Sequence, residues 1–206
     1  MFAGNVSLRR MIPAAVGVGL LAGIAAATYV ADVDRPSPRD PDLANFRLVD
    51  AAGRAYSVES FPPGSVLAIY FGYTTCLRAC PIALDNIAVA MDALGAQGDS
   101  VRPVFVDMDP ERVALASLPL YMQSYGPRFL GLTGPPESLE DAARSFKIRV
   151  ERLRFSADPA DYAMTHASPI FVMRPSDPRP LSLPPTSAPE ALEAAFRNAL
   201  RTEPLS

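Results

Sequence analysis

The sequence contains few of the side chains that catalytic and metal sites most often use. Its 206 residues include two cysteines, one histidine and no tryptophan. Because His166 is the single histidine, any Ser–His or Cys–His pair, and any metal site that uses imidazole, must include it. Two cysteines and one histidine are also too few for a closed structural zinc site, which normally takes four protein ligands. These scarcities limit the chemistry to a small set of side chains.

The charge balance excludes other classes of protein. The formal net charge is −3, so the chain lacks the positive charge that gripping nucleic-acid phosphates requires, and no nucleic-acid partner is expected. Apolar residues make up 49% and charged residues 20%, a composition typical of a globular protein rather than a disordered one. The 22 prolines mark many loops but form no repeat.

The N-terminal segment has the pattern of a membrane anchor. Met11–Val30 has no charged side chain, and Arg9 and Arg10 precede it. About 20 apolar residues can span the ~30 Å hydrocarbon core, and arginines ahead of the segment hold that end in the cytoplasm. We therefore expect one transmembrane helix in the cytoplasmic membrane within residues 1–30, with the rest of the chain on the extracytoplasmic (periplasmic) side. The alternative is a signal peptide cleaved near Ala25–Ala27.

One domain is expected over residues 42–206, after a proline-rich linker at residues 31–41. Strands are predicted at Phe46–Val49, Ala55–Val58, Val66–Phe71, Val101–Val106, Phe129–Leu132, Ile148–Leu153 and Ile170–Met173. Helices are predicted at Ala83–Leu94, Glu111–Tyr125 (kinked or split at Pro119), Glu137–Phe146 and Pro189–Leu200. This alternation predicts an α/β fold, a central, partly parallel sheet flanked by helices.

Both cysteines lie where a buried strand is followed by a helix. Cys76 and Cys80 come after the strand predicted at Val66–Phe71, and Pro81 suits a first helical turn. A helix N-terminus stabilises thiolate, and the positive charge of Arg78 adds to that effect. A plain stabilising disulfide is the simpler interpretation, but closing so short a loop would constrain the unfolded chain little. We therefore expect a reactive pair of thiols.

The spacing of the cysteines favours a metal site. Residues four apart share one face of a helix, so the sulfurs of Cys76 and Cys80 can bind one ion. Two thiolates suit Cu(I), and an added imidazole gives a site that also holds Cu(II). The predicted metal ligands are therefore Cys76, Cys80 and His166, with copper as the ion. Because three ligands leave the site open, the pattern suggests binding for transfer.

Four further side chains are weaker candidates for the same ion. Asp107 or Asp109 offers an oxygen ligand to Cu(II), and Met108 or Met164 a thioether to Cu(I). Loop capping is the more common role for such aspartates, and core packing for such methionines.

The chain resembles the Sco/SenC family of membrane-anchored, thioredoxin-like copper proteins. The likeness spans about residues 42–202, and its motifs are Phe46–Gly53 (FRLVDAAG), Tyr70–Cys76 (YFGYTTC), Cys80–Pro81, Val104–Arg112 (VFVDMDPER), Gly131–Gly134 (GLTG) and one histidine ahead of a strand. The resemblance implies a thioredoxin-like fold and the ligands Cys76, Cys80 and His166. It also implies delivery of copper to the dinuclear copper centre of cytochrome c oxidase. The implied partners are the oxidase's copper-binding subunit and other copper carriers.

Three functions are compatible with these residues. The first is a copper metallochaperone, which is not an enzyme. The second is a thiol–disulfide oxidoreductase that keeps the oxidase's copper-ligand cysteines reduced, with Cys76 and Cys80 as its redox pair. The third is a redox or copper sensor that uses the same site. A peroxidase is disfavoured, because neither thiol lies in a Thr-x-x-Cys arrangement.

Overall fold

The computed structural model describes residues 45–112, 115–154, 162–166 and 168–201, with only the backbone described at residues 152, 154 and 163–166. The chain divides into two units, Met1–Asp40 and Pro41–Ser206, and the described residues belong to the second. The anchor predicted within residues 1–30 and the linker at residues 31–41 lie outside the described residues. Within the described ranges, no helix is long and apolar enough to cross a membrane.

The strands and helices alternate along much of the chain. In the described residues the strands are β1 (Leu48–Val49), β2 (Ala55–Tyr56), β3 (Val66–Gly72), β4 (Val101–Asp107), β5 (Leu130–Leu132), β6 (Val150–Arg154), β7 (Tyr162–His166), β8 (Ile170–Arg174) and β9 (Asp177–Leu183). The α-helices of the same residues are α1 (Ala79–Ala93), α2 (Leu118–Gln123), α3 (Pro136–Ser145) and α4 (Pro189–Arg201). Short 3-10 turns lie at Val58–Ser60, Gly95–Ser100 and Leu115–Ser117.

A five-stranded mixed sheet forms the centre of the domain. Its strand order is β5-β4-β3-β8-β9, in which β3 pairs in parallel with β4 and β4 with β5. Strand β8 pairs antiparallel with both β3 and β9. Two hairpins, β1-β2 and β6-β7, form separate two-stranded sheets. The predicted α/β fold with a partly parallel central sheet is therefore confirmed.

Strand β3 separates two hydrophobic cores, because its side chains alternate between the faces of the sheet. All seven of its residues are buried. Leu67, Ile69 and Phe71 pack in the core that contains the apolar side chains of α3 and the β1-β2 hairpin. Val66, Ala68 and Tyr70 pack in the core formed with α1, α2 and α4. Burial on both faces explains why this strand is a continuous apolar run.

The helical stretch predicted over Glu111–Tyr125, kinked or split at Pro119, is split in the described residues, just before the proline. The described part of this stretch forms the 3-10 turn Leu115–Ser117 followed by the short helix α2, with Pro119 in its first turn. Proline disrupts a helix interior but is tolerated in a first turn, where its missing N–H has no partner to lose. Pro119 therefore begins a helix instead of kinking one.

Two strands were not predicted from the sequence. Strand β9 contains Pro178 and Pro180, which an edge strand tolerates because one side of its backbone has no ladder partner. Strand β7 pairs only with β6 in the described residues, from Arg154 opposite Tyr162 to Val150 opposite His166. His166 was expected immediately before the strand-like stretch that begins at Ser168. It is instead the last residue of β7, and β8 begins at Ile170.

Candidate metal centre

The two cysteines lie at the carboxyl end of the parallel strands. The loop after β3 carries Cys76, and Cys80 lies in the first turn of α1. The loop after β4 runs beside this segment, since the Met108 N–H donates to the carbonyl of Gly72 at 2.8 Å. In open α/β sheets, ligands bind in the crevice outside the carboxyl ends of the strands. The local topology therefore matches a binding site at this edge.

The Cys76 sulfur accepts hydrogen bonds from the beginning of helix α1. The side chain is half-buried, and its sulfur lies 3.4 Å from the backbone nitrogen of Cys80. Burial alone would raise the pKa of the Cys76 thiol. Backbone N–H groups of Arg78, Cys80 and Ala79 outweigh that effect and hold the pKa below its usual range. The segment thus stabilises a thiolate at Cys76, as the sequence predicts for a helix start.

The Cys80 thiol is fully buried beneath the first. Burial raises the pKa of this thiol to about 12, although hydrogen bonds from the Tyr73 N–H and the Tyr70 hydroxyl act in the opposite direction. The sulfur lies against Gly72, where an added Cβ would be 2.8 Å from it. Both cysteines are present as thiols rather than as a disulfide. The pair is therefore asymmetric, with one ionisable thiol near the surface and one protonated thiol in the core.

This asymmetry predicts unequal reactivity. Treating the reduced, full-length chain with iodoacetamide at pH 7 is expected to modify Cys76 at least ~10-fold faster than Cys80, because only thiolate reacts and Cys80 is buried. Peptide mass spectrometry over time measures both rates. In denaturant the rates should become similar, which serves as the control. Equal rates in the folded chain would contradict the assigned asymmetry.

Asp107, the last residue of β4, and Asp109, in the loop that follows, hold that loop together. An Asp107 carboxylate oxygen accepts the Asp109 N–H at 3.2 Å, which is the loop-capping role. The Asp109 carboxylate pairs with Arg112 at 3.1 Å and accepts the Tyr162 hydroxyl. Met108 is 9% exposed and packs in the core with α3, as expected for a methionine at a strand end. These contacts support structural roles for the three residues.

Asp107 makes stability depend on pH. Burial raises its pKa to about 6 from the ordinary 3.8. Its contribution to stability is therefore full below about pH 3.8 and is lost as the pH rises through about 6. Asp107→Asn should raise the free energy of unfolding at pH 7.5 by about 1–2 kcal/mol, because it removes a buried charge at the cost of weakening the hydrogen bonds from the Asp109 and Thr74 N–H groups. The gain should disappear near pH 4. Urea unfolding at pH 7.5 and at pH 4 measures this gain in unfolding free energy. An equal gain at both pH values would show that it does not come from the Asp107 charge.

His166 is the last residue of strand β7 in the β6-β7 hairpin. Its backbone pairs with Val150, and its side chain is outside the described residues, as is that of Met164. Tyr162, at the other end of β7, packs with Tyr73 against the α3-side core. Among the side chains that the structure describes, no group of three or more His, Cys, Asp or Glu is arranged to hold a metal ion. The ligand set Cys76, Cys80 and His166 therefore stays a prediction.

Comparison with known proteins identifies the family. A family model described as SCO1/SenC matches residues 35–201. The chain belongs to the SCO1/SenC family. The resemblance found in the sequence is thus confirmed over nearly the whole expected domain.

Solved structures similar to this SCO1/SenC chain have the same fold. The copper-bound ScoI of Arabidopsis thaliana has a TM-score of 0.67 and 26% identity, over 77% of this chain and 98% of that one. The copper-bound ScoI of Bradyrhizobium japonicum has a TM-score of 0.65 and 30% identity, over 76% of this chain and 98% of that one. At these TM-scores the chain has the fold of these proteins, so the expected thioredoxin-like α/β fold is confirmed.

Similar sequences come from mitochondria and bacteria. The mitochondrial SCO2 homolog of Bos taurus is 31% identical over 180 residues, or 81% of this chain. A SCO2-like protein of Rickettsia conorii is 30% identical over 124 residues, or 60% of this chain. The matches span 65% and 60% of the lengths of these two proteins, respectively.

Several residues near the thiols were missed as site residues by sequence reasoning. Tyr70 is the one polar side chain in the fully buried strand β3, and its hydroxyl faces Cys80. A polar group inside a continuous apolar run needs a partner, and that is the clue to its role. Arg112 and Tyr162 are far apart in the sequence, and nothing in its pattern indicates that they meet.

Proposed function

We propose that the chain binds one copper ion through Cys76, Cys80 and His166 and delivers it to the copper-binding subunit of cytochrome c oxidase. The observation that carries the proposal is the pair of free thiols at the start of α1, one of them with a lowered pKa. Thiolate is the form that ligates metals, and two soft sulfur donors suit Cu(I). Membership of the SCO1/SenC family, and copper in two similar structures, support the same ion.

The position of strand β7 supports His166 as the third ligand. The Arg112 side chain contacts both Thr75, which precedes Cys76, and Tyr162 in β7. Arg112 therefore links the first residue of β7, the strand that ends at His166, to the loop that carries the first thiol. An imidazole added to two thiolates allows the site to hold Cu(II) as well as Cu(I).

Transfer by ligand exchange requires that a recipient reach the ion. Cys76 is half-buried rather than enclosed, and Leu77 beside it is 90% exposed. A thiolate of the recipient can therefore approach the ion from the Cys76 side. The ion then exchanges one ligand at a time, which keeps it coordinated throughout. Cys80, being buried, would be the last ligand to leave.

We also propose that the chain is anchored in the cytoplasmic membrane with its domain on the periplasmic side. The support is the uncharged run Met11–Val30 behind Arg9 and Arg10. Membrane fractionation before and after a carbonate wash tests the anchor. Retention in the membrane supports it, and release of a shortened chain supports the cleaved signal peptide.

A transfer experiment tests the delivery role. The full-length chain in detergent, loaded with Cu(I) under argon, is mixed with the reduced copper-free subunit of the oxidase, and the two proteins are separated. We expect most of the copper to move to the subunit. In the control, a chelator replaces the chain and holds the copper, and none should reach the subunit. Copper that stays on the chain would refute delivery while leaving binding intact.

A thiol–disulfide oxidoreductase is the second candidate, and the lowered pKa of Cys76 favours it. The Cys76 thiolate attacks a disulfide of the partner and releases one partner thiol. Cys80, once deprotonated, attacks the Cys76 sulfur of the mixed disulfide and releases the second partner thiol, so the partner gains two thiols and the chain is oxidised to a Cys76–Cys80 disulfide. An external dithiol must restore the chain. His166→Ala should leave this exchange intact, whereas either cysteine variant should abolish it.

A further inference from the structure

Arg112 joins three segments that are distant in the sequence. Its Nε lies 3.1 Å from an Asp109 carboxylate oxygen in its own loop. One terminal nitrogen lies 3.5 Å from the Thr75 hydroxyl, next to the first thiol. The other donates to the backbone carbonyl of Tyr162 at 2.8 Å. One guanidinium thus contacts the cysteine loop, the loop after β4 and the β6-β7 hairpin.

Tyr162 receives two more contacts from the same group of residues. The Arg112 guanidinium carbon lies 3.9 Å from the centre of the Tyr162 ring, a cation–π geometry. The Tyr162 hydroxyl donates to Asp109. Arg112, Asp109 and Tyr162 therefore form a closed set of contacts, which we call the Arg112 cluster.

The hairpin needs support from outside itself. Strands β6 and β7 form a two-stranded sheet that is separate from the central sheet. An isolated two-stranded hairpin is marginally stable in water. Tyr162 begins β7 and His166 ends it, so whatever fixes Tyr162 also fixes the strand that carries the histidine.

We propose that Arg112 is a positioning residue, which holds strand β7 against the cysteine loop so that His166 can complete the copper site. This inference rests on the proposed copper-binding function. Arg112 does not contact the ion in this account and acts through the placement of the histidine. Losing residues that orient a metal ligand typically weakens binding by ~10- to 100-fold.

A double-mutant cycle with His166 tests the inference. Arg112→Met keeps much of the side-chain length and removes the charge and all the hydrogen bonds. We expect it to weaken Cu(II) binding of the full-length chain at least ~10-fold, and to shift the thiolate-to-copper absorption band toward that of His166→Ala. In the His166→Ala background the same change should cost less than ~2-fold, because its effect passes through the missing imidazole. Equal losses in both backgrounds would overturn the proposal.

Two arginine variants provide the controls. Arg128 is comparably exposed, at 30% of its side chain against 27% for Arg112, and pairs with Asp92 and Asp99. Arg128→Met should therefore leave Cu(II) binding unchanged. Arg112→Lys keeps a charge for Asp109 but lacks the planar fork that contacts Thr75 and Tyr162 together, so it should rescue binding in part. Full loss with Arg128→Met would show that any lost arginine pair produces the effect.

Hydrogen exchange of the copper-free chain distinguishes failure of this inference from failure of the proposed function. Arg112→Met should speed exchange of the amides in β6 and β7 more than those of β3, since Tyr162 of β7 contacts Arg112 directly, whereas β3 is held in the central sheet by β4 and β8. If the wild type binds no copper, the proposed function fails and this measurement alone decides whether Arg112 holds the hairpin. Unchanged exchange in β7 would overturn the positioning role whatever the copper result.

Discussion

Replacing either cysteine with serine is expected to abolish tight Cu(I) binding. A hydroxyl is a hard, protonated donor at neutral pH, so either change leaves the soft ion with one thiolate. Cys76→Ser also removes the sulfur that accepts N–H groups at the start of α1. Cys80→Ser additionally places a hydroxyl in the fully buried position of the thiol. Competition with a chromophoric Cu(I) chelator measures both variants.

The matched control for these variants is Leu77→Ser. This substitution introduces the same residue into the same loop, at a side chain that is 90% exposed. Cu(I) affinity should therefore remain within ~3-fold of the wild type, as for an exposed residue outside the ligand set. If both cysteine variants retain wild-type affinity, the ion binds elsewhere and the assigned ligands are wrong. If Leu77→Ser also abolishes binding, the loop rather than its sulfurs is the sensitive element.

Gly72→Ala should damage the site and the fold together. An added Cβ would lie 2.7 Å from the Phe105 ring and 2.8 Å from the Cys80 sulfur, and both of these groups are fully buried. Neither can move without repacking the core between the sheet and α1. Overpacking of this kind costs about 1–3 kcal/mol of unfolding free energy. We also expect Cu(I) affinity to fall by ~10-fold or more, because the second thiol is displaced.

Gly64→Ala is the control for this variant. An added Cβ at Gly64 meets nothing within 4 Å, so the substitution should leave stability unchanged or raise it slightly. Urea unfolding and chelator competition on both variants give the two readouts. Wild-type stability and affinity in Gly72→Ala would show that Cys80 and Phe105 are not packed as described.

The parts of the fold with a continuous apolar pattern could be predicted from the sequence. Strands β3 and β4 are buried on both faces, so their composition alone indicates the central sheet. Strand β9 could not be predicted, because its prolines are tolerated only at the edge of the sheet. The edge position is a property of the assembled sheet and not of the local sequence. Helix α2 begins at a position that the sequence pattern places inside a longer helix. A local pattern does not show whether a strand lies at the edge of a sheet or where a helix begins.

Part of the candidate site could likewise be predicted from the sequence, and part could not. Cys76 and Cys80 could be singled out because the start of a helix after a buried strand is a local feature, and the lowered pKa of Cys76 follows from it. The difference in burial and pKa between the two thiols could not be predicted, because the burial of Cys80 depends on Gly72 and Tyr70 in the tertiary structure. The contact of Arg112 with Tyr162 joins residues 50 apart in the sequence. Such contacts leave no periodic pattern.

Copper titration of the wild type and of His166→Ala tests whether Cys76, Cys80 and His166 together bind one copper ion. The full-length chain in detergent is reduced and then titrated without oxygen, separately with Cu(I) and Cu(II), while thiolate-to-copper absorption is recorded. We expect one tightly bound copper per chain, with Cu(II) binding weakened by ~10-fold or more when the imidazole is lost and Cu(I) binding affected less. Copper binding by the wild type no stronger than that of a Cys76→Ser/Cys80→Ser variant would contradict this expectation.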